Sequence, residues 1–397
     1  MTNAVIVDAV RLASGKGKMG GALSGTHPVE LLATVLRSIV ERNNLDPAQV
    51  DDVIGGCVAQ VGEQSLNISR TALLAAGFPD SVPATTIDRQ CGSSQQAAHF
   101  AAQGIMAGAY DIVIACGVES MSRIPMGTAS MGKDTHGPGI RARYPEGLVN
   151  QGISAELISA KWKLDRDTLD AYSAQSHQRA AAAIAAGAFD KEIVPIEVTN
   201  AAGETVTHLL DETVRATTTA EGLAGLRPSF RTDEYAARFP EAGWNITPGN
   251  SSPLTDGASA VLIMSEEAAT KLGLTPRARF HSFSVAGDDP VFMLTAPIPA
   301  THKVLARAGL SIDDIDAYEV NEAFAPVPLA WAHEFNADPA KLNPRGGAIA
   351  LGHALGSSGT RLLTTLVNQL EATGGRYGLQ TMCEGAGMAN ATIIERL

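Results

Sequence analysis

Cysteine is scarce in this chain of 397 residues: Cys57, Cys91, Cys116 and Cys383 lie far apart and form no CxxC pair. That excludes a disulfide scaffold or a zinc knuckle and fits a reducing compartment. Basic charge is also short, with 30 Lys and Arg against 42 Asp and Glu and a formal net charge of −12. Such a surface has no general attraction for nucleic acid or an anionic membrane, so an anionic ligand needs a local cationic patch or a helix N-terminus. No apolar run reaches the roughly 18 residues of a membrane span. The opening MTN leads straight into AVIVDAV without a basic segment or cleavage site, so the expectation is a soluble, unexported, cytoplasmic protein. What is present is 45% hydrophobic and 18% charged residues with 39 glycines. This is the profile of a well-buried globular enzyme, and its length exceeds one ordinary core.

Short β-branched runs alternate with Ala- and Leu-rich segments, which predicts a layered α/β architecture. Strands are expected at 4–10, 53–58, 84–88 and 111–116, with an amphipathic helix over 31–43. A small-residue-rich helix is expected over 92–108, with so little polar surface that it should run through the interior. In the second half, 277–285 reads as a strand and 300–308 as a helix. LSIDDIDAYEV (310–320) then echoes LDPAQVDDVIGGCV (45–58). Aligning Asp52 with Asp314 sets Cys91 and His353 equally far beyond their marks, each expected to open a glycine- and serine-containing helix, which suggests a duplication. Between the halves, 120–249 differs in texture, with Gly, Met, Pro and Arg clusters and a helix over 168–187. An insertion this long is usually functional, although a covering lobe for oligomer contacts is the plainer alternative.

Cys91 follows the strand-like ATTIDRQ and precedes a helix, where free N–H groups and the helix dipole favour a thiolate. Gly92 beside it admits close backbone approach. Against this, a lone cysteine is commonly a small buried apolar residue. His353, flanked by glycines in GGAIALGHALGSSGTR, can present its ring to a cavity as a base or polariser, or can simply bond a loop carbonyl. His99, in an Ala-rich helix, reads as a satisfied interior residue. Cys383 precedes Gly385 and Gly387, whose amides can point at a bound oxygen while the thiol moves a proton. Cys57 and Cys116, at expected strand ends, read as core cysteines. Asn321, after the strand-like DAYEV, can orient a water or an acyl oxygen. Glu322 beside it can be a base or a brace for the turn, and spacing does not choose between them.

Taken together, DRQCGSSQQA, NEAFA, GGAIALGHALGSSG and CEGAG resemble the thiolase family in order and spacing over nearly the whole chain. The resemblance implies two βαβαβαββ halves packed as α-β-α-β-α layers, with an inserted loop domain over the coenzyme A site. The expected division is 1–119 plus 250–271, then 120–249, then 272–397. It further implies Cys91 as acyl-accepting nucleophile and His353 as its activator. Asn321 would hold an oxyanion-hole water, Cys383 would act as general acid/base, and the N–H groups of Cys91 and Gly385 would form a second oxyanion hole. Arg227 and Ser252 fall where family members contact coenzyme A. The implied partners are acyl-CoA and free coenzyme A as substrates, with no nucleic acid, no membrane and a homodimer or homotetramer as the assembly. No metal and no permanently bound cofactor is implied.

Two departures from the family pattern stand out, the first loosening a turn without removing the chemistry and the second bearing on the acetoacetyl pocket. Ala354 stands where the family usually has Pro, and Asn150-Gln151-Gly152 stands where short-chain biosynthetic members show His-Met-Gly. The Gln95-Gln96 pair, the VGEQSLNISR segment and the C-terminal MCEGAGMANATIIERL resemble actinobacterial degradative thiolases. The expectation is therefore reversible 3-ketoacyl-CoA thiolysis on lipid- or steroid-derived chains. Biosynthetic acetoacetyl-CoA condensation, a condensing enzyme of the same fold, a Cys-His hydrolase and a non-catalytic binding protein remain as alternatives. The glycines from 346 to 359 do not form a dinucleotide-binding GxGxxG after the first strand.

Overall fold

The computed structural model describes residues 2–200 and 202–397. Its centre is a mixed sheet, and β1 (Ala4–Leu12) lies in the middle of it. The first half adds α1 (Pro28–Arg42), β2 (Asp52–Gly56), α2 (Ile68–Ala75), β3 (Ala84–Ile87), α3 (Ser93–Met106) and β4 (Ile112–Ser120). Two helices of the intervening segment follow, α4 (Gln151–Lys161) and α5 (Arg166–Ala185). β5 (Thr255–Ser265) returns to the sheet between β1 and β4. The second half comprises β6 (Ala278–Gly287), α6 (Pro297–Ala308), β7 (Ala317–Val320), α7 (Pro326–Phe335), α8 (Ser358–Thr373), β8 (Tyr377–Glu384) and β9 (Met388–Arg396). The main strands run in the order β7-β8-β9-β6-β1-β5-β4-β2-β3.

The two halves repeat one pattern of pairing. β2 is parallel to β4, which is antiparallel to β5; β7 is parallel to β8, which is antiparallel to β9. They meet at a short antiparallel seam where Val5 faces Arg279 and Ile6 faces Ala278. Apolar residues of α1 and α2 pack one outer face, and those of α6 and α7 pack another with β7, β8 and β9. Between the half-sheets lie α3 and α8, joined to strands of both halves in one cluster that includes Ala98, Ala101, Val261, Leu366 and Ile394. The interior course expected for the helix after Cys91 is what the fold shows. Small residues permit it: a Cβ on Gly359 would stand 2.0 Å from the Gln95 amide nitrogen, and Ser94 Oγ accepts from Thr360 N at 3.0 Å.

The duplication is present, but its register differs from the expected one. Asp51 Oδ2 accepts from the consecutive amides of Asp111 and Ile112, and Asp316 Oδ2 accepts from those of Arg376 and Tyr377. The same interval that separates Asp51 from Asp316 also separates the starts of α3 and α8, those of β4 and β8, and Glu119 from Glu384. Asp52 therefore matches Ala317 rather than Asp314, and Gly356 rather than His353 stands opposite Cys91. The echo in sequence was three residues out because acidic residues cluster around both marks, and local likeness does not specify which one holds the loop. His353 also does not open its helix: a 3₁₀ turn, Leu355–Ser357, comes between it and α8. Cys116 lies within β4 rather than at its end, buried without a polar partner, as a core residue would be.

The intervening segment is tied down by buried charge. Arg11, on β1, donates to Glu192 at 2.7 Å and to both oxygens of Asp211 at 2.7 and 3.0 Å. Such a pair holds position because removing one member strands the other's charge out of water.

Candidate active site

The turn before Cys91 is strained. Gln90 has φ 48°, a left-handed conformation uncommon for a side chain of this kind, and its N–H donates to Asp88 Oδ1 at 2.6 Å. The turn delivers Cys91 to the start of α3 with Gly92 as N-cap and no side-chain cap. Cys91 is nearly enclosed, packed on Leu362 and Met382. The expected thiolate is not its resting form. Burial, then the neighbouring Cys383 and Glu384, push the thiol well above its ordinary value, and its own N–H offsets only part of this. The helix dipole is outweighed because a buried charge loses its water entirely.

His353 comes from the second half and is held from behind. Its N–H donates to Thr255 Oγ1 at 2.9 Å, and its backbone bridges Leu254. The ring's Nδ1 lies 2.6 Å from Ser358 Oγ, and that hydroxyl donates to Ala354 O at 2.8 Å. With the hydroxyl proton so used, Nδ1 carries the ring proton and Nε2 is left as an acceptor. Burial, then the charge of Arg361, lower the imidazole to about 3, so it is neutral at physiological pH. Ser358 was missed in the sequence, although its place in the HALGSSG run, five residues after the histidine, was visible.

Asn321 follows β7 directly, and its Nδ2 lies 3.4 Å from His353 Nε2. Its Oδ1 is buried without a partner, and the amide also bears on Cys383, opposing the rise of that thiol. Cys383 lies inside β8 near the end of the strand, where burial above all pushes its thiol up to about 12. Four side chains, from three turns and the end of β8, thus converge: Cys91 beside Cys383, and Cys383 beside Asn321, which faces His353. Gly385 begins the turn after β8, where Ala386 and Gly387 have φ of 65° and 79°, and a Cβ on Gly385 would meet Gln90 Oε1 at 3.0 Å. The turn at Gly385 therefore lies against the side chain of Gln90, the residue directly before Cys91.

Glu322 is resolved as the brace. Its carboxylate accepts from Tyr172 at 2.8 Å, Ser176 at 2.7 Å, Asn343 at 3.0 Å and the Ile349 amide at 3.0 Å. It thereby joins α5 to the turn that presents Asn321. His99 is the satisfied interior histidine expected, 2.7 Å from Thr392 Oγ1, and burial first, then Arg89, lower it to about 3. Ser252 is half-buried, its amide donating to Ala323 O at 3.0 Å in the strand-like contact that backs Asn321. Arg227 is exposed on a loop, and a Cβ on Gly249 would meet its neighbour Leu226 at 2.6 Å. The two residues expected near coenzyme A therefore belong to adjoining loops, and that of Ser252 runs beside the segments that present Asn321 and His353. Among the described residues no His, Cys, Asp and Glu are grouped to hold a metal ion, and no helix is long and apolar enough to cross a membrane.

A convergent set of two thiols, a neutral imidazole and a carboxamide can accept an acyl group and relay protons without ionised residues at rest. The thiolase N-terminal domain model matches residues 4–267, and the thiolase C-terminal domain model matches 274–396. The chain belongs to the thiolase family, and as a thiolase it is an acyltransferase. It is 50% identical to a protein of Mycobacterium tuberculosis named steroid 3-ketoacyl-CoA thiolase FadA6, covering 100% of this chain and 95% of that one. It is 46% identical to a 3-ketoacyl-CoA thiolase of Aliivibrio salmonicida, over all of both chains. A crystal structure of the Bacillus anthracis acetyl-CoA acetyltransferase superposes with a TM-score of 0.88 at 38% identity, covering 100% of this chain and 99% of that one.

Proposed function

We propose that this thiolase cleaves 3-ketoacyl-CoA with coenzyme A, giving acetyl-CoA and a shortened acyl-CoA through an acyl-enzyme on Cys91. The observation that carries the reading is the convergence of Cys91, Cys383, Asn321 and a neutral, tautomer-fixed His353. His353 Nε2 takes the Cys91 proton, and the sulfur attacks the 3-keto carbon. The bond between C2 and C3 breaks, its electrons going to C2, which Cys383 protonates, and acetyl-CoA leaves. The thiol of free coenzyme A then attacks the Cys91 thioester, losing its proton to the cysteine–histidine pair, and Cys91 is released.

Oxygen charge has two homes. The N–H groups of Cys91 and Gly385 would face the acyl-enzyme oxygen. His353, once protonated at Nε2, and a water on Asn321 would face the thioester oxygen of the second substrate. Burial suits this chemistry, because dipoles aimed at developing charge act most strongly where water is excluded. Running the steps backwards gives Claisen condensation.

Coenzyme A would lie against the segment 120–249, set between the halves 1–119 plus 250–271 and 272–397, with Arg227 and Ser252 at its nucleotide and pantetheine arms. The acyl group would be larger than acetoacetyl, in keeping with Asn150-Gln151-Gly152 and the steroid thiolase relative. We propose a cytoplasmic homodimer or homotetramer that needs no metal or permanently bound cofactor.

Intact mass with turnover tests the reading. The protein is incubated with 3-ketoacyl-CoAs of several sizes, with and without coenzyme A. An acyl adduct should appear on Cys91, disappear on adding coenzyme A, and be absent from Cys91→Ala. An adduct on Cys383 instead, or full activity in Cys91→Ala, would overturn it. Release of free acid without coenzyme A consumption would mark a hydrolase.

A further inference from the structure

Glu384 is the last residue of β8, directly after Cys383, and is fully buried with neither carboxyl oxygen hydrogen-bonded. A buried polar group without a partner is expensive and calls for a reason. The duplication sharpens the question, because Glu119 holds the equivalent place in the first half. Glu119 accepts from Val58 N at 2.9 Å, Ala59 N at 3.1 Å, Gln64 Nε2 at 2.7 Å and Gly356 N at 2.9 Å. Gly356 is the structural counterpart of Cys91. One carboxylate is thus a fully bonded clamp on the turn opposite the nucleophile, while its twin beside the nucleophile has no bond.

What Glu384 touches is the nucleophile's own helix start. A Cβ on Gly92 would lie 2.0 Å from Glu384 Oε1 and 2.7 Å from Asn390 Nδ2, and that Asn390 nitrogen donates to Gly92 O at 2.9 Å. The charged and titratable groups facing Glu384 are Arg89 and Asp88 in the turn before α3, Cys91 at the start of that helix, and Cys383 on its own strand. Asn390, from β9, is uncharged.

We infer that Glu384 is a positioning residue for the nucleophile: as a neutral acid it fills the space against Gly92, and when it ionises it holds Cys91 and Cys383 in their thiol forms. Burial, opposed by Arg89 and aided by Asp88, raises its carboxyl to about 8, so it changes charge at mildly alkaline pH. A negative charge there opposes a second one on either sulfur, because like charges close together out of water repel. The two ionisations are then coupled, and the observed profile belongs to the group rather than to Cys91 alone. This rests on Cys91 being the nucleophile, and its test reads Cys91 without turnover.

Full-length wild type and Glu384→Gln are alkylated with iodoacetamide over a pH series, and the Cys91 peptide is quantified by mass spectrometry. In Glu384→Gln the midpoint of Cys91 alkylation should fall by about half a pH unit or more. In the wild type the rise should be broader than a single ionisation. Circular dichroism and Tm check folding, and Glu384→Ala serves if the amide is not accommodated. An unchanged midpoint in a folded variant overturns the inference, and so does a wild-type profile that follows one simple ionisation. Failure to form an acyl adduct on Cys91 would instead overturn the reading of the nucleophile.

Discussion

His353 Nδ1 faces Ser358 Oγ at 2.6 Å, and because that hydroxyl donates to Ala354 O, the proton between them sits on the ring. This contact makes Nε2 the basic nitrogen on the side of Asn321. Ser358→Ala frees the ring to turn and to change tautomer. kcat should fall about tenfold or more, within the ~10²–10⁴ that a positioned base contributes, while KM changes little. Steady-state kinetics checks this, and a loss confined to KM would count against it.

Glu322 discriminates brace from base by a single amide substitution. Glu322→Gln keeps the shape and half of the accepting capacity, so kcat should drop by less than about tenfold. Glu322→Ala strands the groups of Tyr172, Ser176 and Asn343 and should cost at least ~2 kcal/mol in denaturant unfolding. If Glu322→Gln abolished turnover at wild-type stability, the carboxylate would be doing proton chemistry.

Cys383 is assigned the proton at the carbon–carbon step, which separates two half-reactions. Cys383→Ala should still acylate Cys91 from a preformed acyl-CoA and exchange that acyl group with coenzyme A. Cleavage of a 3-ketoacyl-CoA should fall by orders of magnitude. Equal loss of both activities would place Cys383 in thioester exchange as well.

Gly359 lets α8 lie directly on α3, and no side-chain rearrangement can make room against the backbone of Gln95. Gly359→Ala should destabilise the protein by about 1–3 kcal/mol through overpacking. It should also slow Cys91 alkylation, since Cys91 lies directly before the start of α3. Chemical denaturation and alkylation rates measured together would show whether the two effects travel as one.

Buried neutral imidazoles predict acid sensitivity. His353 and His99 are lowered to about 3 and His177 to about 4, burial being the largest cause in each. An unfolded histidine binds a proton below its ordinary value near 6.5 while these folded ones do not, so each contributes stability that is present above that value. That stability is lost as pH falls towards 3, by up to ~1.4 kcal/mol per unit for each fully buried ring. Tm should drop steeply between about pH 6.5 and 4, and His99→Gln should flatten the slope. A slope unchanged in a folded His99→Gln would show that other groups set it.

Much of the site was legible because its residues sit in short, unusual phrases. The alternation of apolar runs specified β1, α1 and α3, since burial on one or both faces leaves its period in the sequence. Cys91, Cys383 and Asn321 were marked by glycine and by strand ends, where backbone must approach a ligand. The register between the halves was not legible, since Asp51 and Asp316 are told from their acidic neighbours only by the amides they receive from strands sixty residues away. The thiol state of Cys91 was misjudged for a related reason: the helix start is local, but the burial that overrides it comes from Leu362 and Met382. Sequence by itself determined the main elements, the duplication and which residues to propose as reacting groups, all properties carried by neighbours along the chain. Tertiary structure alone decided that Glu322 braces, that Ser358 sets the imidazole tautomer, and that Glu119 is bonded while Glu384 is not, because hydrogen-bond satisfaction and loss of water depend on which distant segments close around a side chain.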